Sequence, residues 1–310
     1  MRLVLLDRHH AYENVHRPAL RRSSGRSERD LNGEGVVTKD IIRRYREYGA
    51  VCIRQAFDPH WVSVVEAGVS RNLAEPSDYA GTLKAGEADR GGFVDDYCNW
   101  QRIPEYRDFV YKSPAGAMTA RLMESRSSVF YHEHLLVKWP GTLKRTPWHH
   151  DQPYYPVNGR QNVSLWMPLD PVSKASCVQF VRGSHDWGRW FVPRKFATER
   201  NYAIEDTSAE PMLGDRPFED VPPIDEHPED YEILAWDMEP GDVIAFHMCT
   251  LHGAAGNQSL TDARRVLATR WLGDDARFAA RPWEISPTET GGLVPGDPMA
   301  CDLFPRVWPA

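Results

Sequence analysis

The sequence predicts a mainly β protein with flanking helices, a sandwich or jelly roll, on three observations. From Ser128 onward, short β-branched or aromatic runs recur at 129–138, 147–151, 161–168, 177–182, 233–236, 242–249 and 265–272. Turn signals separate them with no helical period between; the strongest is Glu239-Pro240-Gly241-Asp242, just before Val243-Ile244-Ala245-Phe246. Eleven Trp and twelve Tyr suit a β-rich core with an aromatic-lined cavity, although core packing also accounts for most of them.

Ahead of that region the texture is helical. Residues 1–34 are polar, rich in Arg, Ser and Gly and without periodicity, which predicts a flexible N-terminal tail. Thr38 is placed to cap a helix carrying Ile41, Ile42 and Tyr45 on one face, and Gly49 to stop it. Ala50-Val51-Cys52-Ile53 reads as a short buried strand. Asp58-Pro59 is a cap followed by Pro at the first helical position, opening a helix with Trp61, Val64 and Val65 inward. Residues 75–105 show no clear period, and 105–124 read as helical with Tyr106, Phe109, Val110 and Met118 toward the core. The expected organisation is a domain over 35–275, with a helical part at 38–124 and a β core at 128–275, then a C-terminal extension at 276–310.

Composition narrows the function classes. A formal charge of −7 argues against a nucleic-acid binder, which usually shows a basic face. No apolar run approaches the roughly 20 residues of a membrane span, and Met1-Arg2-Leu3-Val4-Leu5-Leu6 is too short for a signal-peptide core. The five cysteines (Cys52, Cys98, Cys177, Cys249, Cys301) are scattered and lack C-x-x-C spacing, so reduced thiols in a cytoplasmic protein are expected. Residues 205–232 hold eleven Asp or Glu against one Arg. That acidic loop reads as a solvated excursion, with a flap over the site as the functional alternative.

Trp148-His149-His150-Asp151 and, a hundred residues later, Leu251-His252-Gly253 carry the chemistry. In an extended strand, residues i and i+2 share a face, so His149 and Asp151 can reach one ion while His150 points away. His252, after a turn-strand unit and before a polar loop, suits the third ligand. His247 is a weaker candidate for that place, better suited to the core. His132 and His134 alternate to face a cavity together, and His185 suits a turn. Two imidazoles and one carboxylate suit an iron(II) oxygenase with open positions, although zinc takes the same set. A carboxylate receptor separates the two, because a 2-oxo acid chelating the open face needs a fork-shaped cation for its far end. Arg264, twelve residues past His252, is well placed; Arg265 points the other way by alternation.

Taken together, these residues resemble the phytanoyl-CoA dioxygenase family, a branch of the Fe(II)/2-oxoglutarate-dependent oxygenases. The resemblance covers roughly 36–275 and rests on Val137-Lys138-Trp139-Pro140-Gly141, the His-His-Asp segment, Leu165-Trp166-Met167-Pro168-Leu169-Asp170, Val181-Arg182-Gly183-Ser184-His185, Pro240-Gly241-Asp242, and His252-Gly253-Ala254-Ala255-Gly256-Asn257 with Arg264. It implies a cupin-like double-stranded β-helix, iron(II) on His149, Asp151 and His252, and 2-oxoglutarate reaching Arg264. Trp166 and His134 match positions lining the family's cosubstrate pocket, with ordinary strand packing as the alternative. Asp151 stands where halogenating members have a small residue, so the resemblance implies hydroxylation. Three positions depart from the pattern: His150 where many members carry Gln, Ala254 where many carry Ser, and Ala175-Ser176-Cys177 in place of Asn-Gly.

The expected activity is hydroxylation of an unactivated C–H of a small molecule, using O₂ and 2-oxoglutarate and releasing succinate and CO₂. A non-catalytic cupin-like binding protein and a zinc hydrolase are the alternatives. Tyr97, Trp100, Tyr154 and Tyr155 lie near the motifs in sequence and are assigned to the substrate-side wall, with core packing as the competing role. No basic cluster suits the phosphates of coenzyme A, and the substrate class stays open between an acyl-CoA, a natural product and an amino-acid derivative.

Overall fold

Thr38 does cap the first helix, its hydroxyl accepting from the Ile41 amide at 3.3 Å. This is seen in a computed structural model that describes residues 35–205 and 212–309. The tail expected at 1–34 and part of the acidic loop lie outside the described residues. Helix α1 (Lys39–Tyr48) ends at Gly49, whose φ of +78° is a left-handed conformation that glycine adopts without strain. It buries Tyr45, whose hydroxyl donates to the Asn162 carbonyl at 2.5 Å; Ile41 and Ile42 are half-buried beside it. Strand β1 (Ala50–Ile53) follows. Helix α2 (Pro59–Ala74) is capped by Asp58 and buries Trp61 and Val65, with Val64 only half-buried.

The aperiodic region holds two strands that its sequence hides, β2 (Gly81–Leu83) and β3 (Phe93–Tyr97). Acidic residues and glycines interrupt the apolar pattern there, while pairing to neighbours holds the strands. The helical stretch 105–124 is two helices, α3 (Pro104–Lys112) and α4 (Ala115–Leu122). Pro114 separates them, having no amide hydrogen to continue the ladder. All four core positions expected there, Tyr106, Phe109, Val110 and Met118, are buried.

The β region begins with β4 (Ser128–Lys138), β5 (Thr146–His149), β6 (Val157–Asn158) and β7 (Asn162–Pro168). It continues through β8 (Val178–Val181), β9 (Trp190–Phe191), β10 (Met212–Leu213) and β11 (Arg216–Glu219). Last come β12 (Ile233–Leu234), β13 (Val243–Phe246), β14 (His252–Ala254), β15 (Arg264–Leu272), β16 (Arg277–Phe278) and β17 (Arg306–Trp308). The large sheet runs β1-β13-β7-β15-β4-β3-β2, with β17 also on β4; the small one runs β12-β8-β14-β5. Pairing within both is antiparallel. This is the double-stranded β-helix.

Strand β15 shows how one sequence serves two layers. Leu267 and Trp271 pack into the core shared with the helices, which includes Trp61, Phe109 and Met118. Val266 and Ala268 point the opposite way, into a second core with Phe180 of the small sheet. Both faces are covered, so the strand is apolar on both and the period-2 signal is weak.

The segment after 275 belongs to the same body. β16 pairs with β6, β17 pairs with β4, and the buried Trp283 indole donates to the Pro153 carbonyl at 3.0 Å. The acidic loop is pinned where it is described. Phe218 packs edge-on to Trp283, Val221 and Ile224 bury beside Trp148, and Asp225 accepts from the Trp148 indole at 2.8 Å. None of its described residues lines the cavity between the two sheets. All five cysteines are free, and among the described residues no helix is long and apolar enough to cross a membrane.

Candidate active site

Strands β5 and β14 are neighbours, and their register sets His252 directly opposite His149. Asp151 joins them by a different route from simple strand alternation. β5 stops at His149, and Asp151 takes a helical conformation (φ −72°, ψ −45°) as the chain turns into Gln152–Tyr154. Its amide donates to the Met248 carbonyl at 2.8 Å, which fixes the turn. One Asp151 oxygen, Oδ1, then lies 3.6 Å from His149 Nε2 and 3.7 Å from His252 Nε2. The three donor atoms fall within 4.8 Å of one another and all three residues are buried. His150 is not part of the cluster; its ring packs 4.7 Å from Phe191 and neither nitrogen has a partner among the described residues.

The surroundings prepare these atoms for a metal. His149 Nδ1 donates to the Pro147 carbonyl at 2.8 Å, and His252 Nδ1 to the Thr250 carbonyl at 2.9 Å. A ring that donates from Nδ1 leaves Nε2 as a lone pair, aimed in both cases at the shared point. Burial, with His149 beside it, holds the His252 imidazole down at about 3, so it stays neutral. Asp151 Oδ2 accepts from Ser164 Oγ at 2.9 Å and lies 3.3 Å from Arg270 Nη2, leaving Oδ1 for an ion. Burial opposes ionisation of Asp151, but Arg270 and the two imidazoles outweigh it and keep the carboxyl well below its ordinary range. Two imidazoles and one carboxylate, aligned before any ion arrives, fit a divalent metal with open positions.

The triad opens into a cavity of about 260 Å³ between the two sheets. The inward positions of β15 give it Arg264, Val266, Ala268 and Arg270 in succession. Arg264 is buried and donates to the Ser176 carbonyl, so the departure at Ala175-Ser176-Cys177 supplies its side-chain hydrogen bond among the described residues. Among the described residues no carboxylate lies within ion-pair distance of it, and burial lowers its guanidinium to about 10. Arg265 faces away, into a bidentate pair with Asp170 and a contact to Glu66. Trp166, across the ladder from Ala268, lines the cavity, as does His134.

Of the four residues assigned to the substrate wall, Tyr97, Tyr154 and Tyr155 line the cavity and Trp100 does not. Trp100 is corrected to a core residue: its ring packs against Phe130 and Tyr111 where β4 meets the helices. His247 is likewise no ligand, since its Nε2 is bound to the Arg160 carbonyl at 3.0 Å and its ring sits beside His185. His185 meets the Arg46 carbonyl at 3.0 Å, holding the turn after β8 to α1.

Sequence reasoning missed Arg270, although alternation along β15 from Arg264 points to it. It also missed Phe196 and Tyr202, which lie in an irregular segment with no motif and complete the aromatic wall. Lys138, opposite Arg264 in the ladder, is buried and donates to the Ala255 carbonyl at 2.8 Å. Burial, with Arg264 beside it, pushes its ammonium down to about 5.

No curated protein matches the chain. Among solved structures it is similar to the non-heme alpha ketoglutarate dependent carbocyclase SnoK from nogalamycin biosynthesis, at 24% identity and a TM-score of 0.67, covering 87% of this chain and 96% of that one. It is similar to the epimerase SnoN in complex with Fe³⁺, alpha ketoglutarate and nogalamycin RO, at 19% identity and a TM-score of 0.65, covering 87% and 98%. EctD from S. alaskensis with 2-oxoglutarate and 5-hydroxyectoine aligns at 16% identity and a TM-score of 0.58, covering 84% and 85%. These likenesses bear on the fold. The phytanoyl-CoA dioxygenase (PhyH) model matches residues 45–266, more than two thirds of the sequence, and the chain therefore belongs to this family of iron(II)- and 2-oxoglutarate-dependent oxygenases.

Proposed function

We propose that the protein hydroxylates an unactivated C–H bond of a small molecule. One atom of O₂ enters the product as hydroxyl, the other enters succinate, and 2-oxoglutarate loses CO₂. The observation that carries this reading is Arg264, a buried guanidinium in the same cavity as the triad, without a carboxylate partner among the described residues. A metal-binding module has no need of such a cation, and an oxo acid with a distal carboxylate satisfies it through paired charge-assisted hydrogen bonds.

Each residue then has a task. His149, Asp151 and His252 would hold iron(II), which when bound supplies the oxidising chemistry with O₂ and 2-oxoglutarate. Arg270 and Ser164 fix one oxygen of Asp151 so that the other stays presented as a single donor. Arg264 would anchor the far carboxylate of 2-oxoglutarate, with Trp166, Val266 and His134 walling its methylenes. Tyr97, Tyr154, Tyr155 and Phe196 exclude water and position the substrate beside the triad. The carboxylate at Asp151 leaves no ligand place for a halide, which favours hydroxylation over halogenation.

Two of the similar structures are described as a carbocyclase and an epimerase, so the product must be measured directly. A small-molecule panel screened for succinate release, with mass spectrometry of each hit, tests the reading. A mass gain of one oxygen is expected. Succinate coupled only to loss of two hydrogens, or to no mass change, contradicts hydroxylation and leaves the oxygenase class standing.

A further inference from the structure

We infer that the substrate carries a protonated amine and that Asp95 is the residue that binds it. The inference rests on the proposed oxygenase reading of the cavity and names the substrate class for that site.

Asp95 stands at the centre of β3, and its register partner on β4 is Leu136, so it faces the cavity with Phe93 and Tyr97. The side chain is only 16% exposed. Its Oδ2 meets His134 Nε2 at 3.4 Å, a long contact, and Oδ1 has no hydrogen-bond partner among the described residues. An accessible carboxylate oxygen that no protein group uses among the described residues, at the wall of the cavity, is open to a donor carried by a ligand. Neither the metal triad nor an Arg264-anchored oxo acid provides that donor.

The space beside the free oxygen is kept open by the partner strand. Gly81 lies directly opposite Asp95 on β2, and a Cβ there would stand 3.0 Å from Oδ1. Aromatic faces surround the same place. Tyr79 stacks on Tyr97 with ring centroids 4.5 Å apart, and Tyr97 meets His134 edge-on at 5.3 Å. Tyr97, two residues on from Asp95 along β3, and Tyr202 line the same cavity as the carboxylate. A carboxylate among π faces is the chemistry that recognises an alkylammonium ion.

The other charged groups at the mouth do not substitute for that ligand. Arg194 is engaged with the Val221 carbonyl at 3.2 Å. Lys195 lies over the Tyr202 ring, 5.6 Å from its centroid, and forms no ion pair with Asp95. Arg270 is held by Asp151. Glu284 and Glu289 sit near enough to act on Tyr202 and Tyr97, adding negative potential that draws a cation in.

The test is calorimetric titration of anaerobic protein loaded with Fe(II) and 2-oxoglutarate. The probes are tryptamine, phenethylamine and benzylamine, each against its matched alcohol and carboxylic acid. Amines are expected to bind at least tenfold tighter than the matched alcohols, and Asp95→Asn to reduce the amines to the level of the alcohols. Equal affinities, preference for the acids, no amine binding across the panel, or an amine preference that survives Asp95→Asn each overturns the inference. The visible absorption of the Fe(II)–2-oxoglutarate chelate, recorded on the same samples, separates the two levels. If it is absent in the wild type, the oxygenase reading fails first; if it is present, the amine affinities bear on Asp95 alone. Gly81→Ala keeps the carboxylate and crowds it, so amine affinity should fall there too, even if Asp95→Asn proves unstable.

Discussion

His252 stands directly opposite His149 across the β5–β14 ladder, their ring centroids 4.1 Å apart and both Nε2 atoms within 3.7 Å of one oxygen of Asp151. The two imidazoles are thus set by strand register, with each ring clamped by a carbonyl two residues back in sequence, and the turn after β5 adds Asp151.

Replacing a ligand and replacing its neighbour should therefore differ sharply. His252→Ala is expected to weaken Fe(II) binding by at least about 100-fold, the upper range found for lost support of a metal site. His150→Phe should leave metal affinity unchanged and stability equal or higher, because two unpaired buried nitrogens are removed. Equilibrium dialysis with Fe(II) and urea denaturation read both outcomes; lost binding in His150→Phe would show that the turn at Asp151 places the wrong imidazole.

Arg264→Leu should raise the Kd for 2-oxoglutarate roughly 30- to 150-fold, from losing charge-assisted hydrogen bonds of about 2–3 kcal/mol. Arg265→Leu, which breaks a half-buried pair with Asp170 on the other face, should leave that Kd within about twofold. Equal effects in the two variants would contradict the assignment of the inward arginine.

Arg270→Gln removes the buried cation beside Asp151. The remaining carboxylate is uncompensated, so the metal-free protein should lose about 3 kcal/mol or more of stability. Urea midpoints measure this, and adding divalent metal should recover part of the loss.

Acid should destabilise the metal-free protein early. Burial holds His132 and His150 well below the ordinary imidazole range and His247 and His252 at about 3, so all are neutral when folded. The unfolded chain binds those protons first as pH falls below about 6.5, so the stability they contribute is present above that value and is lost toward pH 3. Each fully shifted group contributes up to about 1.4 kcal/mol per pH unit in that window. Asp151, also depressed, adds in the same direction at lower pH. A melting temperature that is flat from pH 7 to pH 5 would contradict this.

Much of this was legible in the sequence, for identifiable reasons. Thr38, Gly49, Asp58 and Pro59 are local signals whose geometry depends on few neighbours, and the helices begin and end there. The triad was legible because its side chains have no cheaper structural role together. Strands β2 and β3 were hidden because their pairing partners, not their own composition, stabilise them. Trp100 was misplaced because proximity in sequence to a motif says nothing about which face of β4 a ring meets. Asp151 was reached by the right spacing through the wrong local geometry, a turn in place of a strand.

The central claim is that His149, Asp151 and His252 hold iron beside an Arg264-anchored 2-oxoglutarate. Anaerobic titration with Fe(II) and 2-oxoglutarate, followed by visible absorption, tests it most directly. A weak charge-transfer band that saturates in the wild type and is absent in Asp151→Ala is the predicted result; no band in the wild type, or an unchanged band in Asp151→Ala, would contradict it.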